Sequence, residues 1–362
     1  MPFSDRILTT KLQPPRVGVR LLERPRLWEI LEGYQSKRLV LVSAPAGYGK
    51  TVTISQFVKQ LSSPAVWYHL DYYDNDFNMF IQHLLIGLDR AFAGVATDML
   101  YLIERNNNLS SEIPRITAAL VNSLLDRMED KLVFVIDDYH FIEEKAVHSF
   151  MEQFLHYVPE GVHIFMNCRA KPPLNLERLK VAGLVKEIGM EELRFNRDEI
   201  AGFLVTENSE TISNETVDFL EEKTGGWPAA LRLAGMAMSG GNSIKTGIKE
   251  MLPQRKEIYQ YLAAEVLSDM PSYLSNFVLS TSVLDIMTPE ICDLLLERTD
   301  SKNILEELEL RNLFITSTEG EYRVYRYHPL FREFLQSQLR EEQKRALWEK
   351  GGYSYEQNSY YS

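Results

Sequence analysis

One octapeptide constrains the fold of this chain more than any other feature of its sequence. Residues Ala44–Thr51 read Ala-Pro-Ala-Gly-Tyr-Gly-Lys-Thr and directly follow the apolar run Arg38–Val42. The pattern predicts a short buried strand that leads into a glycine-bearing turn, which opens a helix. Gly47 and Gly49 allow the backbone to curl so that several N–H groups point at an anion, and the helix start adds positive potential. The segment is therefore predicted to be a P-loop.

The side chains of this loop suit a nucleoside polyphosphate with Mg²⁺. Lys50 is placed to reach the terminal phosphates, and the Thr51 hydroxyl is placed to ligate the metal. The strict pattern has Gly where Ala44 stands, and the alternative is a glycine turn that only joins a strand to a helix. The intact Gly-Lys-Thr favours nucleotide binding. The predicted nucleotide-binding residues of the loop are Ala46, Gly47, Tyr48, Gly49, Lys50, Thr51 and Val52.

Composition narrows the class of protein. The 362 residues suggest two or three domains, and 45% hydrophobic with 25% charged residues is typical of chains with packed cores. The net charge of −12 disfavours nucleic acid or anionic lipid as a partner unless a local basic patch overrides it. The two cysteines, Cys168 and Cys292, are too few for a disulfide framework, so a reducing, cytoplasmic setting is expected. Met1–Thr10 has no apolar signal-peptide core, and we expect no membrane span.

Apolar runs alternate with helical stretches in the first half of the chain. The predicted strands are Arg38–Val42, Ala65–Leu70, Leu132–Ile136, His163–Asn167 and Leu184–Ile188. The segments with apolar residues at helical spacing are Thr51–Leu61, Phe77–Phe92, Pro114–Met128 and Ala146–Tyr157. This alternation predicts an α/β fold, a P-loop NTPase parallel sheet with helices on both faces. In such sheets ligands bind beyond the carboxyl ends of the strands, where the P-loop lies.

The predicted strands of this sheet stop after Arg194. Helices are predicted at Arg197–Phe203, Thr216–Lys223, Ala229–Met238, Ile258–Leu267, Tyr273–Ser280, Asn303–Arg311 and Pro329–Leu339, and a further one in the arm at Arg26–Tyr34. Asn196, with Glu199 three residues later, and Asn214 are predicted N-caps, and Gly240–Ser243 is a predicted loop. Leu313–Ser317 and Tyr322–Tyr327 flank a turn, Thr318–Glu321, and predict a β-hairpin.

Helices followed by a hairpin predict a winged helix, so the sheet is expected to precede a small helical domain and a winged-helix domain. The predicted parts are an N-terminal arm (1–36), a P-loop domain (37–195), a small helical domain (196–257), a winged-helix domain (258–342) and the start of a further helical domain (343–362). The Pro- and Arg-rich arm is predicted to pack near the nucleotide base, with a solvated surface as the alternative for its arginines.

Two acids follow a buried strand in the manner of the second half of an NTPase site. Val133–Ile136 is apolar and leads directly into Asp137 and Asp138. Asp137 is placed to hold Mg²⁺ through water opposite Thr51, and Asp138 to orient or deprotonate the attacking water. The alternative is a pair of ordinary turn acids. The P-loop upstream favours the catalytic interpretation.

Three further residues each admit two interpretations. Arg169, which follows a predicted strand, approaches the γ-phosphate or only caps that strand at the surface. Pro228, after Gly-Gly-Trp, lies against an adenine ring with Trp227 or only starts a helix. His328, also at a helix start, donates to a phosphate or is a satisfied core histidine. Cys168 is predicted to be a buried packing residue.

Taken together, the motifs resemble the N-terminal half of the MalT-like, LuxR-type large ATP-dependent transcriptional regulators. These regulators are among the signal-transduction ATPases with numerous domains. The matching stretches spread over nearly all of the chain: Lys11-Leu12, Pro14–Arg16, Ser43–Thr51, Trp67–Asp76, Ile136–His140, Arg169–Pro173, Trp227–Leu233 and Tyr327–Leu335.

The resemblance implies three domains around one ATP or ADP with Mg²⁺. Lys50 and Thr51 would hold the phosphates and the metal, Asp137 and Asp138 would be the tandem acids, and Arg169 resembles the sensor arginine. These implied roles agree with the roles predicted from the residue types.

Two implied contacts come from later in the chain. Pro228 resembles the Gly-x-Pro proline that lies over the adenine, and His328 resembles the winged-helix histidine that contacts the β-phosphate of ADP and locks the closed state. Pro329 stands where the class often has Asp, so the match at His328 is partial.

The leading functional hypothesis is a nucleotide-driven switch with slow turnover. ADP holds the resting state, while ATP, favoured by a small-molecule or protein inducer, opens the winged helix and allows self-association; hydrolysis resets the switch. The alternative is a P-loop ATPase or kinase that acts on a separate substrate, for which the sequence shows no acceptor pocket. Direct DNA binding by the winged helix is disfavoured, because Ser268–Arg340 carry 7 Lys/Arg against 12 Asp/Glu, a net of −5.

The resemblance also implies an inducer sensor and a DNA-binding helix-turn-helix that follow this region in such regulators. Leu347–Tyr361 looks like the start of the first helical sensor unit. We therefore expect the chain to be a truncated piece of a longer regulator, with DNA bound only through the C-terminal helix-turn-helix.

Overall fold

A five-stranded parallel sheet is the centre of the first of two units in the structure. The computed structural model describes residues 7–15, 21–96, 99, 109–128, 131–208, 212–238, 266–267, 270–318 and 323–359. The first unit comprises Met1–Val19, Glu23–Ala44 and Gly49–Leu193; the second comprises Arg20–Leu22, Pro45–Tyr48 and Arg194–Ser362.

The strands of the first unit follow the predicted alternation. They are β1 (Leu39–Ser43), β2 (Ala65–His69), β3 (Leu132–Asp137), β4 (Val162–Cys168) and β5 (Val185–Ile188). Their order across the sheet is β2-β3-β4-β1-β5, and every pair is parallel. The predicted α/β sheet is therefore confirmed. Every residue of β3 and β4 is buried, as expected for strands covered on both faces.

The strand register determines which side chains meet at the carboxyl edge of the sheet. His69 at the end of β2 pairs with Asp137 at the end of β3, and Ser43 at the end of β1 pairs with Cys168 at the end of β4. These pairings place the ends of β1, β2, β3 and β4 along one edge, directly before the P-loop and the tandem acids.

Helices precede, connect and follow the strands of the first unit. They are α1 (Pro25–Glu32), α2 (Lys50–Lys59), α3 (Phe77–Ala91), α4 (Ile113–Arg127), α5 (Lys145–Tyr157), α6 (Glu177–Val181) and α7 (Met190–Leu193). The predicted helix Arg26–Tyr34 is wrong at its end, because the α-helix stops at Glu32 and a 3₁₀ turn, Gly33–Ser36, follows.

The described part of the arm is anchored by a buried ion pair. Lys11 lies in the 3₁₀ turn Thr9–Leu12, and its Nζ is 2.7 Å from Asp71 Oδ1 and 2.6 Å from Asp74 Oδ2. Both carboxylates lie in the turn that comes after β2, Asp71 before and Asp74 within the 3₁₀ segment Tyr72–Asp74. Packing of the arm near the nucleotide base stays a prediction.

The second unit begins with three helices, α8 (Arg197–Asn208), α9 (Asn214–Thr224) and α10 (Pro228–Met238). The predicted cap at Asn196 is confirmed, because its Oδ1 accepts from Glu199 N at 2.8 Å and Glu199 Oε2 accepts from Asn196 N at 3.0 Å. The predicted cap at Asn214 is wrong. Ser213 caps α9 instead, since its side chain accepts from Thr216 N, and a hydroxyl one residue earlier meets the free amides.

The rest of the second unit contains helices and a hairpin. They are α11 (Ser272–Thr281), α12 (Pro289–Leu296), α13 (Ser301–Leu310), β6 (Ile315–Thr318), β7 (Val324–Tyr327), α14 (Pro329–Gln338) and α15 (Glu341–Ser359). The strands β6 and β7 are antiparallel, so the predicted hairpin is confirmed. The first strand starts later than predicted, because Asn312 and Phe314 have positive φ.

Some predictions fall on residues that the structure does not describe. These are the loop Gly240–Ser243, nearly all of the helix Ile258–Leu267 and most of the turn Thr318–Glu321. The predicted domain boundaries stay predictions. Within the described ranges, none of the helices combines the length and the apolar character that crossing a bilayer requires.

Candidate nucleotide-binding site

The P-loop turn owes its shape to two glycines. β1 ends at Ser43 and α2 begins at Lys50, with Gly47 at φ 77° and Gly49 at φ 75° between them. Both values lie in the left-handed region that glycine adopts without a Cβ penalty. Gly49 precedes the first residue of α2 and has no side chain to cap the helix, and a helix start of this kind suits an anion.

Lys50 is a buried cation at the start of α2. Its Nζ donates to the carbonyl oxygen of Ala44 at 2.7 Å. Burial lowers the pKa of the Lys50 ammonium to about 8, although the nearby charges of Asp138 and Asp137 act in the opposite direction. A desolvated ammonium at a helix start favours a polyanion, since a phosphate restores the solvation that the ammonium has lost.

Thr51 and Asp137 meet as the metal-site prediction requires. Thr51 Oγ1 donates to Asp137 Oδ1 at 2.8 Å, and Asp137 is buried at the end of β3. Asn167 in β4 also donates to Asp137 Oδ1, donates to Thr51 Oγ1 at 3.2 Å, and accepts from the Asp138 amide at 2.8 Å. Asn167 therefore positions all three predicted residues.

Asp138 and His69 extend the site along the sheet edge. Asp138 has φ 62°, and burial, followed by the charge of Asp137, raises the pKa of its carboxyl. His69 Nδ1 lies 3.3 Å from Asp137 Oδ2 and 3.8 Å from Asp138 Oδ2. Its hydrogen bond to Asp137 is the main reason that the pKa of His69 is raised.

The donor set fits a divalent cation. His69, Asp137 and Asp138 each offer a ligand atom within 4.8 Å of the others, and the Thr51 hydroxyl lies beside Asp137. Hydroxyl and carboxylate oxygens suit Mg²⁺, and an imidazole nitrogen also suits first-row transition metals.

Arg169 and His140 belong to the same electrostatic neighbourhood. The positive charge of Arg169, which follows β4, contributes to lowering the pKa of Lys50 and opposes the raised pKa of Asp138. Burial, followed by the charges of Arg169 and Lys50, lowers the pKa of His140 to about 3. Cys168 agrees with its predicted packing role, since burial raises the pKa of its thiol to about 12.

The remaining predicted residues lie in the second unit. Pro228 is the first residue of α10, preceded by the fully buried Trp227. Trp227 Nε1 donates to Ala46 O at 3.1 Å, and Ala229 N donates to Gly47 O at 3.1 Å. The P-loop stretch Pro45–Tyr48 is thus held by the start of α10 within that unit.

His328 lies in an aromatic cluster of the same unit. Its Nε2 lies 2.7 Å from Thr224 O, and its ring packs near Trp227 and Phe314. Burial lowers the pKa of His328 to about 4, so the imidazole is neutral at pH 7. Because a carbonyl only accepts, Nε2 carries the proton and the buried Nδ1, which has no partner, is an acceptor. Donation from Nδ1 to a phosphate would therefore require the other tautomer or a protonated ring.

The structure thus brings Lys50, Thr51, Asp137, Asp138 and Arg169 together in the first unit, where Gly49 and Val52 also lie. Ala46, Gly47, Tyr48, Pro228 and His328 lie in the second unit. Sequence reasoning missed Asn167 and His69 as site residues. The signal available was a polar residue at or next to the end of a predicted strand: Asn167 is the last residue of one, and His69 is the last but one of another.

Comparisons with known proteins place this chain beside transcriptional regulators. Residues 263–347 match the MalT winged helix domain. The HTH-type transcriptional regulator MalT of Vibrio parahaemolyticus is 30% identical over 332 residues, which span 91% of this chain and 36% of that protein. The MalT regulator of Yersinia pestis is 30% identical over 347 residues, 95% of this chain and 37% of that protein. The chain therefore spans about a third of the length of these relatives.

A solved structure supports the fold. A Walker-type ATPase of Pyrococcus abyssi superposes with a TM-score of 0.58 at 15% identity, covering 91% of this chain and 100% of that protein. The predicted P-loop ATPase fold, followed by helices and a winged helix, is confirmed.

Proposed function

We propose that this chain, which is related to the MalT regulators and carries their winged helix domain, is an ATP- or ADP-binding switch module of such a regulator. The observation that carries the proposal is the contact of Thr51 with Asp137, next to the buried Lys50 ammonium at the start of α2. Together these groups provide a cation, a helix start and a metal-binding acid at one edge of a parallel sheet.

Different residues of the first unit would bind the nucleotide and support its hydrolysis. Lys50 and the P-loop amides bind the phosphates, while Thr51 and Asp137 hold Mg²⁺. Asp138 orients water or accepts its proton, and its raised pKa makes its carboxylate a better proton acceptor. Arg169 offsets negative charge on the phosphates. Bound ATP supplies the γ-phosphoryl group whose loss distinguishes the two nucleotide states.

The second unit would report which nucleotide is bound. Pro228 is proposed to lie against the adenine, and His328 to contact the β-phosphate in an ADP-locked resting state. ATP would favour a second state that self-associates, and slow hydrolysis would return the module to rest. A nucleotide shifts such an equilibrium only by its difference in affinity for the two states. An inducer, and DNA bound by a helix-turn-helix, are further proposed partners of the longer regulator.

The proposal is tested by the nucleotide that copurifies and by its turnover. Chromatography of the denatured protein should yield ADP in about equimolar amount, and phosphate release should be far slower than the roughly 1–100 s⁻¹ of kinases. Rapid steady-state phosphate release without an inducer would favour an ATPase or kinase with a separate substrate. Absence of any nucleotide affinity in calorimetry would refute both.

A further inference from the structure

The backbone carbonyl groups of a P-loop need hydrogen-bond donors, just as its amides need an anion to bind. A peptide group is planar and trans, so its C=O and N–H point in opposite directions. A loop that turns successive N–H groups toward an anion therefore turns the carbonyls of the same peptide groups outward. Donors that bind those carbonyls fix the directions of the amides.

Two such donors lie at the start of α10, within the second unit. Trp227 Nε1 donates to Ala46 O at 3.1 Å, which fixes the peptide group that carries the Gly47 amide. Ala229 N donates to Gly47 O at 3.1 Å, which fixes the peptide group that carries the Tyr48 amide. Two consecutive peptide groups of the P-loop are thus held from outside.

The indole that makes the first contact is itself held in place. Trp227 is fully buried, its amide donates to Thr224 O at 3.0 Å, and its ring packs edge-on against Phe314 at 5.2 Å between centroids. The approach to the loop is close, because a Cβ on Gly47 would lie 2.8 Å from Trp227 Nε1.

We propose that Trp227 is a positioning residue for phosphate binding: its indole N–H holds the Ala46 carbonyl so that the Gly47 amide faces the phosphates of a nucleoside di- or triphosphate. The proposal rests on the proposed function and deepens it. This role is separate from a contact between Pro228 and the base, because it acts on the phosphates alone.

The test removes the indole N–H and compares ligands with and without phosphate. Trp227→Phe keeps an aromatic ring and deletes the donor. Trp67→Phe is the matched control, because the Trp67 indole nitrogen is buried without a hydrogen-bond partner. Affinities for ADP by calorimetry and for adenosine by competition are measured with Mg²⁺ present. Trp227→Phe should weaken ADP binding about five- to tenfold, the effect of one hydrogen bond, and leave adenosine within about twofold.

Other outcomes overturn the proposal. An equal loss for ADP and adenosine would assign Trp227 to the base or to folding, and unchanged ADP affinity would show that the contact does not position the loop. If Trp227→Phe does not fold, β-(3-benzothienyl)-alanine at position 227, which replaces the N–H by sulfur at nearly constant shape, gives the same comparison. Failure of the proposed function is distinguishable, because the unmodified protein would then not bind ADP.

Discussion

Replacing Lys11 with Met should destabilise the first unit by leaving a buried carboxylate without its cation. Lys11 Nζ lies 2.6 Å from Asp74 Oδ2 and 2.7 Å from Asp71 Oδ1. Asp74 is 0% exposed and Lys11 is 7% exposed. Methionine retains much of the length of the lysine stem and deletes the charge, so the lost interaction is electrostatic rather than packing.

The contacts of Asp74 determine how large the loss of stability should be. Breaking a buried ion pair by removing one partner costs about 3–5 kcal/mol. Asp74 would keep two neutral donors, the Tyr68 hydroxyl at 2.7 Å and the Asp71 amide at 2.8 Å. We therefore expect the lower end, about 3 kcal/mol. At about 2–4 °C per kcal/mol for a unit of this size, the unfolding midpoint should fall by roughly 6–12 °C.

Scanning calorimetry measures this shift, and an exposed pair provides the control. Lys180 Nζ lies 3.1 Å from Glu187 Oε1, with side chains 32% and 45% exposed. Lys180→Met should change stability by no more than about 0.5 kcal/mol. The double variant Lys11→Met/Asp74→Asn should recover part of the loss, because it no longer buries an unpaired charge. A midpoint for Lys11→Met no lower than that for Lys180→Met would refute the reasoning.

Three further predictions follow from other parts of the structure. Gly47→Ala should weaken ADP binding at least tenfold, because a Cβ at φ 77° strains the backbone. Gly33→Ala, whose Cβ would lie in open space, should leave ADP binding unchanged. Equal affinities of the two variants in calorimetry would contradict this. Burial holds the pKa of His328 near 4, below its ordinary 6.5, so the stability it confers is present above pH 6.5 and lost as the pH falls toward 4. The free energy of unfolding should therefore fall by about 2 kcal/mol less between pH 7 and pH 5 in His328→Gln than in the unmodified protein. Unfolding curves that change identically with pH in both proteins would count against this. His69→Ser should weaken the binding of Co²⁺ in the presence of ADP roughly tenfold, measured from the absorption bands of Co²⁺, and should leave the affinity for Mg²⁺ within about twofold. His156→Ser, at an exposed position of a helix, should change the affinity for neither metal.

The sequence predicted the sheet and the P-loop well, because both depend on local patterns. Apolar runs that alternate with helical stretches are enough to predict a parallel sheet. The Gly-Lys-Thr segment carries its own turn chemistry, so the start of α2 is predictable to within one residue. The tandem acids were found because they follow a strongly apolar strand.

Contacts between distant segments were not predictable in the same way. His69 meets Asp137 only because β2 and β3 are neighbouring strands whose register pairs these two residues. The sequence of a single strand does not determine the order of strands in the sheet. Trp227 binds Ala46 across 181 residues. Lys11 pairs with Asp74 across 63 residues, and no local pattern indicated that pair. Such contacts depend on tertiary packing, which the local patterns do not specify.

Calorimetry of ADP binding to the unmodified protein and to Lys50→Ala, with Mg²⁺ present, tests the central claim most directly. Lys37→Ala is the control, since its ammonium is exposed and donates to Gly183 O at 2.7 Å. The unmodified protein and Lys37→Ala should bind one ADP with equal affinity, and Lys50→Ala should bind it roughly 100-fold more weakly, the effect of losing a charge-assisted contact. Undiminished ADP binding by Lys50→Ala would contradict the account.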